Sequence, residues 1–455
     1  MEDKSVKQHY GLLTALSMIV GICVGSGIFF KADDILTYTG GDVFLGIIVF
    51  LIGAFCVIFG SITLTELASR TLKTGGIVGY FEEFVSSSAA SAFGWFQLWI
   101  YFPTITVVVA WVAGIYTTML FGLSTTLEMQ IGIGLIYLTF LFSLNYFSLK
   151  LGGRFQNLTT FIKMIPLIGI GVAGLFWSSP TPEIPSGIAS IGTSSVGLGW
   201  LAALAPMAFS FEGWVISTTI TPEVKNAKRN MPIALTIGPL IVLAVYLAYY
   251  LGTVAIVGEE YILSTGDAAI NQIGTAILGA NGETIMLTFV LIAVLGVVNG
   301  LTLGFIRLPQ ALAMKNMVPL SHKIAEIDPT SELSPASAMA AYVISLVWMV
   351  LHYITQKTGM LSGGDVSEIA IVFSYLAYAV LYMKVIQLKR EGIVKSVFLG
   401  YIAPVFGTMG SLVILIGGIF SNPTFVPFFL IFSLLVCIAG YFYYQKKVID
   451  SRLSN

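Results

Sequence analysis

The chain has 455 residues, 56% of them apolar and only 10% charged, with 13% aromatic residues, 47 glycines and a mean hydropathy of +0.91. That balance excludes an ordinary soluble globular domain, and a formal net charge of −1 with no basic stripe excludes a nucleic-acid footprint. A polytopic protein of the lipid bilayer remains, with aromatics for the interfacial belts and small residues for helix contacts.

Stretches of about 20 apolar residues bounded by charge, proline or glycine predict twelve membrane-spanning helices. They fall at 10–32, 42–64, 93–121, 127–149, 153–178, 198–220, 231–257, 283–306, 335–354, 365–386, 396–420 and 424–445. The first, behind Met1-Glu2-Asp3, is too long and too acidic at its start for a cleaved leader, so it reads as a retained span. With the N-terminus in the cytoplasm, 19 of the 22 Lys and Arg fall on the cytoplasmic side. Lys31 and Lys357 fall outside, and Lys163 lies within the fifth span. A distribution so lopsided predicts a multi-pass cell-membrane protein with both termini in the cytoplasm. Segments 179–197 and 258–282 carry no Lys or Arg and read as external loops.

Enzyme chemistry finds no foothold. His9, His322 and His352 are scattered, and no Ser/His/Asp or HExxH spacing emerges. Cys23, Cys56 and Cys437 lie inside spans without close pairing, so neither a disulfide framework nor a zinc site is expected. No GxxxxGK[ST] loop is present to cradle nucleotide phosphates, which argues against an ATP-driven pump. No cofactor is expected.

Two spans are interrupted near their middles. The first break is Val24-Gly25-Ser26-Gly27-Ile28, where consecutive small residues cover more than one helix face, whereas a packing seam of the GxxxG kind needs only one. An unwound stretch there leaves free N–H groups at the start of the next half-helix, with a dipole of about half a positive charge, and a carboxylate can bind to them. The second break, Phe209-Ser210-Phe211-Glu212-Gly213-Trp214, holds a carboxylate near the middle of a span. An acid at that depth costs about 2.5–3.5 kcal/mol on insertion, so Glu212 faces a polar cavity or a partner, as a selectivity or proton site or as a group satisfied by the broken helix. Interrupted segments in corresponding positions of two halves point to a transporter's substrate site.

Lys163 is the third outlier, near the centre of the fifth span and too deep to reach the interface. Two readings are open: an ion pair with Glu212 that locks two helices, or a cation beside the substrate site that does electrostatically what a bound sodium ion does elsewhere. Tyr246 in the seventh span and Asn299 in the eighth are secondary polar candidates, able to hydrogen-bond the neighbouring broken helices.

The Gly25-Ser26-Gly27-Ile28-Phe29 break resembles the first-helix signature of the amino acid–polyamine–organocation superfamily. Phe209 to Trp214, with Thr221-Pro222-Glu223-Val224-Lys225-Asn226 and Arg229-Asn230-Met231-Pro232 behind it, resembles the sixth helix and following loop of its L-type amino acid transporter branch. Residues 307–319 (RLPQALAMKNMVP) resemble that branch's loop after helix 8. The resemblance implies an all-α LeuT-type fold: inverted repeats at 1–178 (helices 1–5) and 198–386 (helices 6–10), then helices 11 and 12 with a short tail at 396–455. Helices 1 and 6 would be discontinuous.

Carried over by position, Gly25, Ser26 and Gly27 bind the substrate carboxylate, backbone at Val24 and Phe209 accepts from its ammonium, and Phe209 is an aromatic lid. Ser210, Phe211 and Gly213 complete the implied substrate site. Lys163 matches the helix-5 lysine that sodium-independent members place near a sodium site. Members linked to a heavy subunit carry a cysteine between helices 3 and 4, where this chain has Gly122-Leu123-Ser124-Thr125-Thr126. A stand-alone transporter of prokaryotic type follows, without a disulfide-linked heavy subunit. The expectation is a sodium-independent L-amino acid exchanger for small neutral substrates of the alanine, serine, threonine and cysteine kind, working by alternating access. A proton-coupled symporter is the alternative within transport. An amino acid sensor is the alternative outside it, and the eleven residues after Tyr444 offer nothing to relay its signal.

Overall fold

The computed structural model describes residues 10–73, 75–329, 333–361 and 364–453, and the side chains at 26, 30, 31, 267, 369 and 450–453 are outside that description. The described chain is almost wholly helical, and its one β pairing is an isolated parallel bridge between Tyr10 and Val224. The α-helices in chain order are α1 (Leu12–Cys23), α2 (Ser26–Tyr38), α3 (Val43–Ala68), α4 (Ile77–Phe84), α5 (Ser87–Phe96), α6 (Phe102–Leu120) and α7 (Leu127–Phe147). They continue with α8 (Leu149–Leu175), α9 (Leu204–Ser210), α10 (Ala227–Val257), α11 (Glu259–Thr265), α12 (Ala269–Leu278) and α13 (Gly282–Phe305). The last six are α14 (Arg307–Ala313), α15 (Ser321–Ile324), α16 (Pro335–Thr358), α17 (Val366–Arg390), α18 (Ala403–Ser421) and α19 (Phe425–Leu453).

Twelve of the resulting stretches are long and apolar enough to cross a membrane, and they coincide with the twelve expected spans. Several of their starts carry short polar caps, which accept the orphan N–H groups of a first turn. Asp42 accepts from Leu45 N–H, Ser86 from Ala89, Ser148 from Leu151 and Ser334 from Ser337, all at 3.0–3.2 Å.

Two expectations need correcting. Segment 258–282 is not a plain loop: it folds into α11 and α12, which bury Tyr261, Ile262, Ile270 and Ile273 at helical spacing. The third span begins earlier than expected, at Ser87, and widens into a π-helical stretch over Gln97–Tyr101. Pro103 explains the widening, since it has no N–H to give to the Trp99 carbonyl and its ring crowds that carbonyl. Trp348 of α16 satisfies the freed group, its indole N–H donating to Trp99 O at 2.6 Å.

Burial sorts the spans into centre and rim. The first, third, sixth and eighth are 76–83% buried, against 22% for α7 and 17% for α19, so the four central spans enclose whatever the protein handles. Small residues allow the close approach: a side chain at Gly174 of α8 would meet the backbone of Gly252 on α10.

At the end of the bundle that carries Tyr10, three distant segments are tied together. Tyr10 N–H donates to Glu223 O (3.0 Å) and Lys225 N–H to Tyr10 O (2.8 Å). The Glu223 carboxylate accepts two bonds from the Arg307 guanidinium, at 2.6 and 3.1 Å. Nearby, Lys315 pairs with Glu82 at 2.5 Å, and burial holds its ammonium below the usual lysine range despite that partner.

Candidate substrate site

The first break is narrower than expected. α1 stops at Cys23, Val24 is extended, and the helix resumes at Ser26, so only Val24 and Gly25 leave the helical path. The last bond of α1 runs from Val24 N–H to Val20 O (2.8 Å) and the first of α2 from Phe29 N–H to Gly25 O (3.4 Å). The carbonyls of Gly21, Ile22, Cys23 and Val24 therefore lie outside the helical ladder, as do the N–H groups of Gly25, Ser26, Gly27 and Ile28. The side chain of Ser26 is outside the described residues.

The second break interrupts the sixth span. α9 ends at Ser210, Phe211 to Gly213 form a turn, and the chain continues as a 3₁₀-helix over Trp214–Glu223 instead of an α-helix. Gly213 has φ of +101°, a left-handed conformation that favours glycine, and a Cβ there would run into Ile22. At Gly27 the constraint is close approach: a Cβ would sit 2.5 Å from Ser210 Cα and 3.1 Å from its carbonyl oxygen.

The two breaks meet. The Tyr246 hydroxyl of α10 lies 2.5 Å from both the Cys23 and the Ser210 carbonyl oxygens, within reach of donating to either, while Cys23 Sγ contacts Phe211 O at 3.4 Å. Ser210 Oγ lies 3.0 Å from Gly27 O and 2.9 Å from Pro206 O. One small cavity, about 20 Å³, is lined from both breaks, by Ile22, Cys23 and Gly27 on one side and Phe209, Glu212 and Gly213 on the other. That is room for about one water, so the breaks are closed upon each other.

Lys163 and Glu212 do not pair with each other. Lys163, fully buried in α8, donates from Nζ to the Gly21 carbonyl at 2.5 Å and lies 3.6 Å from where a Gly25 side chain would begin. It therefore puts its charge at the C-terminal end of α1, where a half-helix presents partial negative charge. Glu212, 5% exposed, accepts through Oε1 a short hydrogen bond from the Tyr101 hydroxyl, with the Gly213 amide beside the carboxylate. Its Oε2 has no hydrogen-bond partner among the described residues.

Residues 10–453 match the model of the amino acid permease family. The chain belongs to that family, as the motifs at Gly25 and Phe209 led us to expect. The permease is 29% identical over 390 residues to the serine/threonine exchanger SteT of Bacillus subtilis, covering 86% of this chain and 85% of the relative. It is 23% identical to the human b(0,+)-type amino acid transporter 1, covering 96% and 88% of the two chains. To the human Asc-type amino acid transporter 1 it is 27% identical, covering 70% and 61%.

Asn299 of the permease donates to Gly152 O and Gln156 Oε1, both at 3.1 Å, and accepts from Asn145 at 3.0 Å, joining α13 to α7 and α8 and hydrogen-bonding to neither broken helix. Sequence reasoning missed Tyr101 and the Arg307–Glu223 pair. A proline two residues beyond a tyrosine inside a span was the available signal for Tyr101, because proline forces a helical irregularity that re-aims neighbouring side chains. Nothing local foretold that Arg307 and Glu223, 84 residues apart, would meet.

Proposed function

We propose that this permease is a sodium-independent exchanger of small neutral L-amino acids, working by alternating access in the cell membrane with both termini in the cytoplasm. The observation that carries the proposal is the cavity shared by both breaks, where N–H groups of α2 outside the helical ladder suit a carboxylate and the carbonyls that end α1 suit an ammonium. An α-amino acid has both groups on one carbon. In this reading Gly25, Ser26 and Gly27 hold the carboxylate through their backbone, Ile22, Val24 and Phe209 receive the ammonium, and the Phe209 ring closes over the ligand.

Lys163 supplies the reason for sodium independence: its ammonium already occupies a carbonyl at the end of α1. The name of the serine/threonine exchanger supports small neutral substrates. We take helices 1–5 (1–178) and 6–10 (198–386) as the two repeats that move against each other, since each opens with a broken span. The segment between α6 and α7, Gly122-Leu123-Ser124-Thr125-Thr126, has no cysteine, so no disulfide-linked heavy subunit is proposed.

The test is uptake of labelled serine and alanine into proteoliposomes, with and without unlabelled amino acid inside, under sodium and pH gradients. Uptake that requires internal amino acid and ignores both gradients is the expected result. Accumulation into empty vesicles driven by an acid exterior would replace exchange with proton-coupled symport.

A further inference from the structure

The cavity between the breaks has an uneven wall. Ile105, Val109, Val297 and Leu301 give it an aliphatic face, and Glu212 is its acidic member. A buried carboxylate set in such a wall demands partners, and it has been given an incomplete set. Tyr101, aimed by the π-helical stretch ahead of Pro103, bonds Oε1. Oε2 is left with no hydrogen-bond partner among the described residues. Two buried cations are committed elsewhere, Lys163 to the Gly21 carbonyl and Arg307 to Glu223. An orphan acceptor at the edge of a ligand cavity is an unfilled hydrogen bond, and a ligand that brings the donor gains what an isosteric ligand without it loses.

We propose that Glu212 Oε2, positioned by Tyr101, accepts a hydrogen bond from a hydroxyl on the substrate's side chain. This rests on the proposed function, in which an amino acid lies between the two breaks. The substrate's carboxylate and ammonium are then held by backbone, and its side chain points at the wall that contains Glu212. The closed breaks leave room for about one water, so a substrate enters only as α2 and α9, which touch through Gly27 and Ser210, part. A short hydroxyl needs the smaller parting. A longer chain ending in an ammonium needs a larger one. The permease therefore discriminates by the donor more than by size, preferring serine to 2-aminobutyrate and threonine to valine, each pair being close to isosteric. Glu212 is the specificity-determining group and Tyr101 a positioning residue that keeps one oxygen occupied and the other presented.

Competition against labelled serine counterflow in wild-type proteoliposomes reads this directly. Serine should compete at least tenfold better than 2-aminobutyrate, and threonine at least tenfold better than valine, a modest fraction of what hydroxyl-reading sites achieve. Tyr101→Phe should lower the serine to 2-aminobutyrate ratio several-fold. The double variant Tyr101→Phe/Glu212→Leu, which removes both polar partners together, should bring it near one, whatever the absolute rate. A wild-type ratio near one would overturn the inference with no variant needed. So would a double variant that still prefers serine, or 2,3-diaminopropionate displacing serine, which would assign the acceptor to a cationic side chain. Failure of every amino acid to drive counterflow in the wild type would instead overturn the proposed function beneath it.

Discussion

The hydroxyl of Tyr246 lies 2.5 Å from the carbonyl oxygen of Ser210 at the end of α9, and equally close to that of Cys23 at the end of α1. A phenol has one proton, so it can satisfy only one of these carbonyls at a time. The other stays a half-met acceptor in a buried site, ready for an incoming ammonium. Tyr246 thus holds the two breaks in register and leaves them short of one donor.

Tyr246→Phe should accordingly weaken both the register and the site. Losing a net hydrogen bond of about 0.5–1.5 kcal/mol predicts a roughly two- to twelvefold fall in exchange rate. Initial rates of serine exchange in proteoliposomes would show it, with the melting temperature as a check on folding. A variant exchanging at the wild-type rate would remove Tyr246 from the site.

Lys163→Ala leaves the Gly21 carbonyl without its donor and strips the charge from the end of α1. An unmet buried acceptor costs about 1–3 kcal/mol, so exchange should drop by about tenfold or more. The informative arm adds sodium. Partial recovery in sodium but not in choline would show that the ammonium stands where a cation can sit, and unaltered exchange in the alanine variant would end the cation-replacing role.

Gly27→Ala tests the closeness of the breaks. Its Cβ would stand 2.5 Å from Ser210 Cα, a backbone atom that cannot swing aside, so α2 and α9 must part. We expect loss of serine-induced thermal stabilisation. Gly169→Ala, at a helix position with open space around it, should bind serine as the wild type does.

The Arg307–Glu223 pair joins the segment after the eighth span to the end of the sixth, and Tyr10 lies against it. Its side chains are only 10% and 13% exposed, so breaking it from one side leaves a poorly solvated charge. Arg307→Gln and Glu223→Gln should each lower the melting temperature by several degrees. In a double-mutant cycle they should show coupling of about 1–3 kcal/mol, and additive effects would mean that the pair contributes nothing.

Much of the architecture was legible before any coordinates. The spans follow from runs of apolar residues long enough to cross a bilayer, and the breaks from glycines and an acid where a helix in lipid cannot leave its polar groups unmet. These are local properties, readable within a window of about twenty residues. Even the correction at 258–282 is local, because Tyr261 and Ile262 in α11 and Ile270 and Ile273 in α12 give each short helix its buried face within a few residues.

Partnership was not legible. Lys163 and Glu212 invited each other as the opposite charges at depth, yet Lys163 went to a carbonyl 142 residues away and Glu212 to a tyrosine 111 residues away. Sequence alone determined which groups would be buried with something to satisfy. Only the packing of the spans against one another decided what satisfied them, because a hydrogen bond is settled within about 3 Å while the hydrophobic pattern that places a helix constrains its rotation and depth far more loosely.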